Sequence, residues 1–233
     1  MTSPADDITA LRDSTDRLLA AVEKLDDASV ARPSLLPGWT RGHVLAHLAR
    51  NADALVNVLA GRPMYASAEV READIERDAA RPLAVHLEDL RATAAGLERA
   101  MADRADEQWE VTVELRNGVT DLASSIPFRR RIEVELHHVD LGIGYTLDDL
   151  PGAFVDRQLE NMARRFSGRP DVRPLELRVE DGRVLRTGRT GGEGERPVVV
   201  TGSPTALVGW LTGRTSGGGL TASGDVLPPL PPL

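Results

Sequence analysis

Apolar residues at helical spacing dominate the first 140 positions. Ile8, Leu11, Leu18, Leu19, Val22 and Leu25, with charges between them, predict a helix over residues 5–27. The run PSLLPGW, residues 33–39, is a connector punctuated by proline and glycine. Thr40 suits the N-cap of a second helix that carries Val44, Leu45, Leu48, Leu55, Val58 and Leu59 and ends at Gly61. Residues 62–80 are polar and charged and predict at most a short helix. Pro82 suits a first helical position, and Leu83, Leu87, Leu90, Ala94, Leu97 and Met101 continue from it. Residues 108–115 alternate as a short strand before an Asn117-Gly118 turn. Ser125 and Pro127 then open a fourth helix that reaches about Leu141, before Gly142 and Gly144. Four long helices, each with one apolar face, predict a bundle.

The pattern changes near residue 150. Phe154, Leu159, Met162 and Phe166 mark one more helix over 151–166. LELRVEDGRVLRT then alternates with period two around Asp181-Gly182, a hairpin signal. A glycine-rich turn over 188–196 leads to a strand over 197–201 and a short helix over 203–213. The tail DVLPPLPPL is rich in proline and expected to be extended. The expected organisation is therefore a mainly α domain over residues 1–150 and a small α+β domain over 151–233.

Composition narrows the function classes. The 233 residues contain no cysteine, which removes disulfides, thiolate metal sites and a cysteine nucleophile together. The net charge of -8 argues against a general nucleic-acid binder. No run of 18 apolar residues is present, and MTSPADD does not read as a secretory signal, so a cytoplasmic protein without membrane contact is expected. Lys24 is the only lysine among 28 basic residues, a bias typical of a GC-rich, actinobacterial genome. It also makes a lysine Schiff base an unattractive mechanism.

The candidate chemistry lies with the histidines. Of five, His43 and His47 fall on the second helix, and His137 and His138 on the fourth. Glu133 and His137 are four apart and share a face. With His47 from a facing helix they make an O,N,N set of the kind zinc accepts with positions left open. Spacing alone leaves open a core-edge His47 and a surface Glu133. Glu135 and His138 duplicate the ligand types, but a one-residue shift turns a side chain about 100° around a helix, so both pairs cannot face one ion. His43 is better read as a capping or surface residue, and His86 as a packing or surface one. Asp140, three residues after His137, is placed either to orient it or to pair on the surface. For Arg129, Arg130 and Arg131 the expected role is intrahelical pairing, Arg129 to Glu133 and Arg131 to Glu135, rather than an anion funnel. Trp39 and Trp210 are expected to pack the motifs. Gly217 to Gly219 lack the context of a phosphate loop.

LLPGWTRGHVLAHLARNADAL, residues 35–55, and the E-x-x-x-H-x-x-D order between Arg131 and Leu141 resemble the mycothiol-dependent maleylpyruvate isomerase family. The resemblance covers nearly the whole chain. It implies a DinB-like metal-binding four-helix bundle followed by a small sterol-carrier-protein-like α+β domain. It further implies zinc held by His47, Glu133 and His137, with mycothiol as the second cofactor. VGWLTGR matches a third feature of the family and makes Arg214 the expected catalytic arginine, although a contact with the end of its helix would also account for that residue.

The implied reaction is reversible addition of the thiol to maleylpyruvate, giving the trans isomer fumarylpyruvate. A chain without cysteine must borrow that thiol, and the other partner is an anionic electrophile. Thiol S-transfer to a different electrophile is the rival within the enzyme class. A non-catalytic metal- or ligand-binding module is the rival outside it. A monomer is expected.

Overall fold

The computed structural model describes residues 3–192, 195–224 and 226–232. Residues 193 and 194 of the expected glycine-rich turn, and residues 225 and 233 of the tail, lie outside that set. The chain divides into two compact units, Met1–Thr146 and Leu147–Leu233.

The first unit begins with α1 (Pro4–Val22), where the Ser3 side chain accepts from the Asp6 amide. The helix stops before the expected 27. Asp26 turns extended and its carboxylate accepts from the Ser29 amide, starting the short α2 (Asp27–Val30) instead. Lys24 is exposed beyond the end of α1. Helix α3 (Arg41–Leu59) starts at Thr40 as expected. Its cap is reciprocal: the Thr40 hydroxyl accepts from the His43 amide while the His43 ring accepts from the Thr40 amide.

The segment expected to hold at most a short helix contains one of three turns, α4 (Ala68–Ala79), capped by Ser67. Only Ile75, Asp78 and Ala79 of this helix are buried, so its apolar signal is sparse. Its anchor is polar. The Asp78 carboxylate is 1% exposed and meets Arg50 at 3.4 Å, Arg77 at 2.8 Å and Arg81 at 2.5 Å. The close approach of α4 to α3 needs Gly42, because a Cβ there would fall 2.0 Å from the Ala79 carbonyl oxygen.

Pro82 is the N-cap of α5 (Leu83–Ala102) rather than its first residue. The expected strand at 108–115 is shorter: Asp106–Glu110 forms a 3-10 turn, and β1 (Thr112–Glu114) pairs antiparallel with β2 (Thr120–Leu122). Asn117 and Gly118 both take positive φ in the turn between them. Helix α6 (Ile126–Asp140) carries Pro127 in its first turn, but the Ser125 side chain makes no cap bond.

Helix α3 packs against α4, α5 and α6, and α1 packs against α5 and α6. Leu11, Leu18, Val44, Leu45, Leu48, Leu55, Leu97 and Val134 are central to this core. The bundle of four long helices is thus α1, α3, α5 and α6, with α4 added outside α3. Among the described residues, no helix is long and apolar enough to cross a membrane.

The second unit is α+β. Helix α7 (Gly152–Phe166) buries Phe154, Leu159, Met162 and Phe166. Strands β3 (Leu175–Val179) and β4 (Val184–Thr187) form the expected hairpin, with Leu177 opposite Leu185. Strand β5 (Val198–Gly202) lies parallel to β3, and β6 (Thr221–Ala222) adds an antiparallel edge, giving the order β4-β3-β5-β6. Between β5 and β6, α8 (Pro204–Leu211) is capped by Ser203 and packs against α7 and the sheet.

Candidate metal centre

Two helices supply the site. The Thr40 cap fixes the start of α3, and His47 lies in its second turn, 6% exposed. Glu133 and His137 occupy successive turns of α6. The Glu133 Oε2 lies 3.0 Å from His47 Nε2 and 3.2 Å from His137 Nε2. The two imidazoles meet edge to face, with ring centres 4.7 Å apart. One ligand atom from each of the three residues lies within 4.8 Å of the other two, the cluster able to hold an ion among the described residues. Ligands about 2.0–2.2 Å from a tetrahedral zinc stand about 3.3–3.6 Å apart, a few tenths of an ångström beyond the two separations at Glu133. The donor set suits zinc in its chemistry, and its atoms lie close enough together to share one ion.

The surroundings set the charges. Burial pushes His47 down to about 4, against the pull of Glu133, so its ring is neutral near pH 7. Burial opposes the Glu133 charge, but hydrogen bonds from His137 and His47 outweigh it and hold the carboxyl well below its usual range. Burial also lowers His137, yet Asp140 and Glu133 together raise it. His137 Nδ1 donates to Asp140 Oδ2 at 2.8 Å, and Asp140 is 1% exposed. This is the orienting alternative for Asp140. Trp39 on the connector packs beside both α3 histidines, its ring centre 5.6 Å from that of His47 and 6.1 Å from that of His43.

The near-duplicates point elsewhere. His138 stacks on Tyr145 with ring centres 3.9 Å apart. Glu135 is buried and accepts from Ser14 at 2.6 Å, Arg17 at 2.7 Å and Tyr145 at 2.7 Å. His43 caps α3 and meets the Glu76 carboxylate at 3.1 Å. His86 is buried on α5.

The three arginines have separate tasks. Arg129 pairs with Asp121 at 2.6 Å and not with Glu133, which corrects that expectation. Helix α6 turns Glu133 toward His47, while Asp121 on β2 lies within reach of Arg129. Arg131 lies 3.7 Å from Glu135, as expected of the second pair. Arg130 is buried and donates to the Leu48 carbonyl and the Asn51 side chain, and desolvation lowers it to about 10.

Arg214 belongs to the second unit, three residues beyond α8. Its backbone amide donates to Gly209 O at 2.8 Å and its Nη1 to Thr212 O at 2.8 Å, the contact with the end of the helix foreseen for it. One contact of the centre has no counterpart in the sequence reading: Arg71 Nη2, on α4, donates to His47 Nδ1 at 3.2 Å. The Ser67 cap and the four-residue spacing of Ile75 and Ala79 were the available signs of the helix that carries it.

The family model described as the mycothiol maleylpyruvate isomerase N-terminal domain matches residues 11–142, and the corresponding C-terminal domain matches 149–231. A solved structure of a mycothiol-dependent maleylpyruvate isomerase is similar over 100% of both chains, with TM-score 0.86 and 28% identity. A histidine-to-alanine mutant of a mycothiol-dependent maleylpyruvate isomerase gives 0.85 and 28%, again over 100% of both chains. No curated protein matches the chain significantly.

Proposed function

Because the chain belongs to the mycothiol maleylpyruvate isomerase family, we propose that it is a zinc- and mycothiol-dependent cis-trans isomerase acting on maleylpyruvate. The observation that carries the proposal is the convergence of two imidazole nitrogens from different helices on one Glu133 oxygen. His47, Glu133 and His137 are the proposed ligands. Zinc bound by them would supply a Lewis acid that brings a thiol's pKa toward neutrality.

The chain's own residues then have defined tasks. Asp140 holds the Nδ1 hydrogen of His137, which leaves Nε2 facing the site. Trp39 packs against His47, whose burial leaves little of its ring in contact with solvent. The thiolate comes from mycothiol, since the chain has no cysteine to offer. Its sulfur adds to the alkene, and the alkene electron pair moves to the keto oxygen as an enolate. The former double bond rotates. Collapse of the enolate expels the same thiolate and leaves the trans isomer, so the thiol is not consumed. Arg214 is the proposed anchor for the substrate, through bidentate contact with a carboxylate.

The test is an optical assay of maleylpyruvate with zinc-loaded protein, with and without mycothiol. The expected result is fumarylpyruvate formed only when the thiol is present, with the thiol recovered in full. A stable thioether would assign the protein to S-transfer, and no thiol-dependent turnover would overturn the proposal.

A further inference from the structure

Beside the candidate ligands stands a cation with no carboxylate partner among the described residues. On α4, Arg77 is paired with Asp74 and Asp78, but Arg71 makes no ion pair. Its Nη2 donates to His47 Nδ1 at 3.2 Å, and its guanidinium carbon lies 5.7 Å from the centre of the Tyr65 ring.

That contact fixes a tautomer. A guanidinium only donates, so His47 Nδ1 carries a lone pair and the ring hydrogen sits on Nε2, facing Glu133. Ligation through Nε2 requires the opposite arrangement, with the lone pair on Nε2 and the hydrogen on Nδ1. Two N–H groups would then face each other at His47 Nδ1 and Arg71. His137 shows the usual alternative, with the Asp140 carboxylate behind Nδ1. His47 has a cation in that place, so ligation frees the guanidinium beside the centre.

The Tyr65 side chain beside Arg71 also borders a cavity with a cationic lining. Tyr65, Ser67 and the first residue of α4, Ala68, line a cavity of about 570 Å³. Arg62, Arg104 and Arg116 line the same cavity with one carboxylate, Glu114. Arg71 is not itself among the residues that line this cavity and meets it through Tyr65, whose ring its guanidinium faces. Its planar fork of donors matches the two oxygens of a carboxylate.

We propose that Arg71 is a substrate-binding residue that exchanges His47 Nδ1 for one carboxylate of a small dicarboxylate when Nε2 of His47 becomes a metal ligand. The inference rests on the zinc-enzyme reading above.

The experiment compares zinc-loaded wild type with Arg71→Ala and Arg71→Met, the second keeping the aliphatic packing. Succinate, a non-reacting dicarboxylate, is titrated calorimetrically, and zinc content and the nitrogen-15 signals of His47 are read alongside. The expected result is unchanged zinc content, succinate affinity weaker by about tenfold or more, and Nδ1 of His47 protonated on zinc loading of the wild type. In turnover, KM rises by a similar factor while kcat changes less. Succinate affinity within about twofold of wild type would overturn the inference alone. So would loss of zinc in both variants, which would make Arg71 a positioning residue for His47. A wild-type chain that takes up no zinc would overturn the reading beneath it as well.

Discussion

The Asp140 carboxylate accepts the Nδ1 hydrogen of His137 at 2.8 Å from three residues further along the same helix. Asp140 is itself tied into the fold, because its backbone carbonyl accepts from the Leu35 amide of the connector. The connector that carries Trp39 and the helix that carries Glu133 and His137 are thereby joined at the residue that aims a ligand.

Asp140→Asn keeps the size of the side chain but removes the charge behind the ring. It is expected to weaken zinc affinity by about 10–100-fold, measured by competition with a chromogenic chelator. Affinity equal to wild type would show that His137 needs no such partner.

Glu133 and Glu135 are two residues apart and are expected to behave in opposite ways. Glu133→Ala should abolish zinc uptake, and it also removes the acceptor shared by His47 and His137, so some stability is lost at pH 7. Glu135→Ala removes the common acceptor of Ser14, Arg17 and Tyr145 and should cost about 1.5–3 kcal/mol in urea unfolding. The folded fraction of Glu135→Ala should still bind zinc. Loss of zinc from that folded fraction would place Glu135 in the centre.

Gly42→Ala would usually favour a helix by a few tenths to about 1 kcal/mol. Here the added methyl meets the Ala79 carbonyl at 2.0 Å, so a net loss of about 1–3 kcal/mol is expected in chemical denaturation. The same change should loosen α4, visible as faster amide exchange from Ala68 to Ala79. A stabilised variant would contradict the tight α3–α4 crossing.

His86 gives the acid response a definite sign. Burial lowers its pKa, and Arg81 acts in the same direction against the Ala79 carbonyl and two carboxylates. Above the ordinary imidazole value of about 6.5 the ring is neutral both folded and unfolded, so its favourable contribution is complete. As pH falls below that value the unfolded chain binds a proton that the buried ring resists, and the contribution is lost through the lower folded pKa. Melting temperature should fall from about pH 7 to 5, and less steeply in His86→Gln. Parallel profiles would refute this assignment.

What could be read in advance depended on whether an element carries its own apolar period. The four bundle helices, α7 and the β3–β4 hairpin do, and their patterns marked them. Helix α4 does not: it is anchored by Asp78 among three arginines, a relation visible only once α3 and α4 are packed. Strands β2 and β6 have three and two residues and are defined by their partners more than by their own alternation. At the site, the four-residue spacing favoured Glu133 with His137 over Glu135 with His138, and these pairs do face different surroundings. The bundle reading made His47 a candidate third ligand but left a core-edge His47 open, and the family resemblance favoured the ligand reading. Arg71 was illegible because it reaches His47 from a helix that the sequence marked only weakly, and the Asp121 partner of Arg129 because it sits on the unforeseen strand.

The account stands most directly on the zinc content of protein purified without a histidine tag, measured by plasma mass spectrometry for wild type and His47→Ala. It predicts one zinc per wild-type chain and nearly none in the variant. Less than about half an equivalent in the wild type, or equal zinc in both, would contradict it.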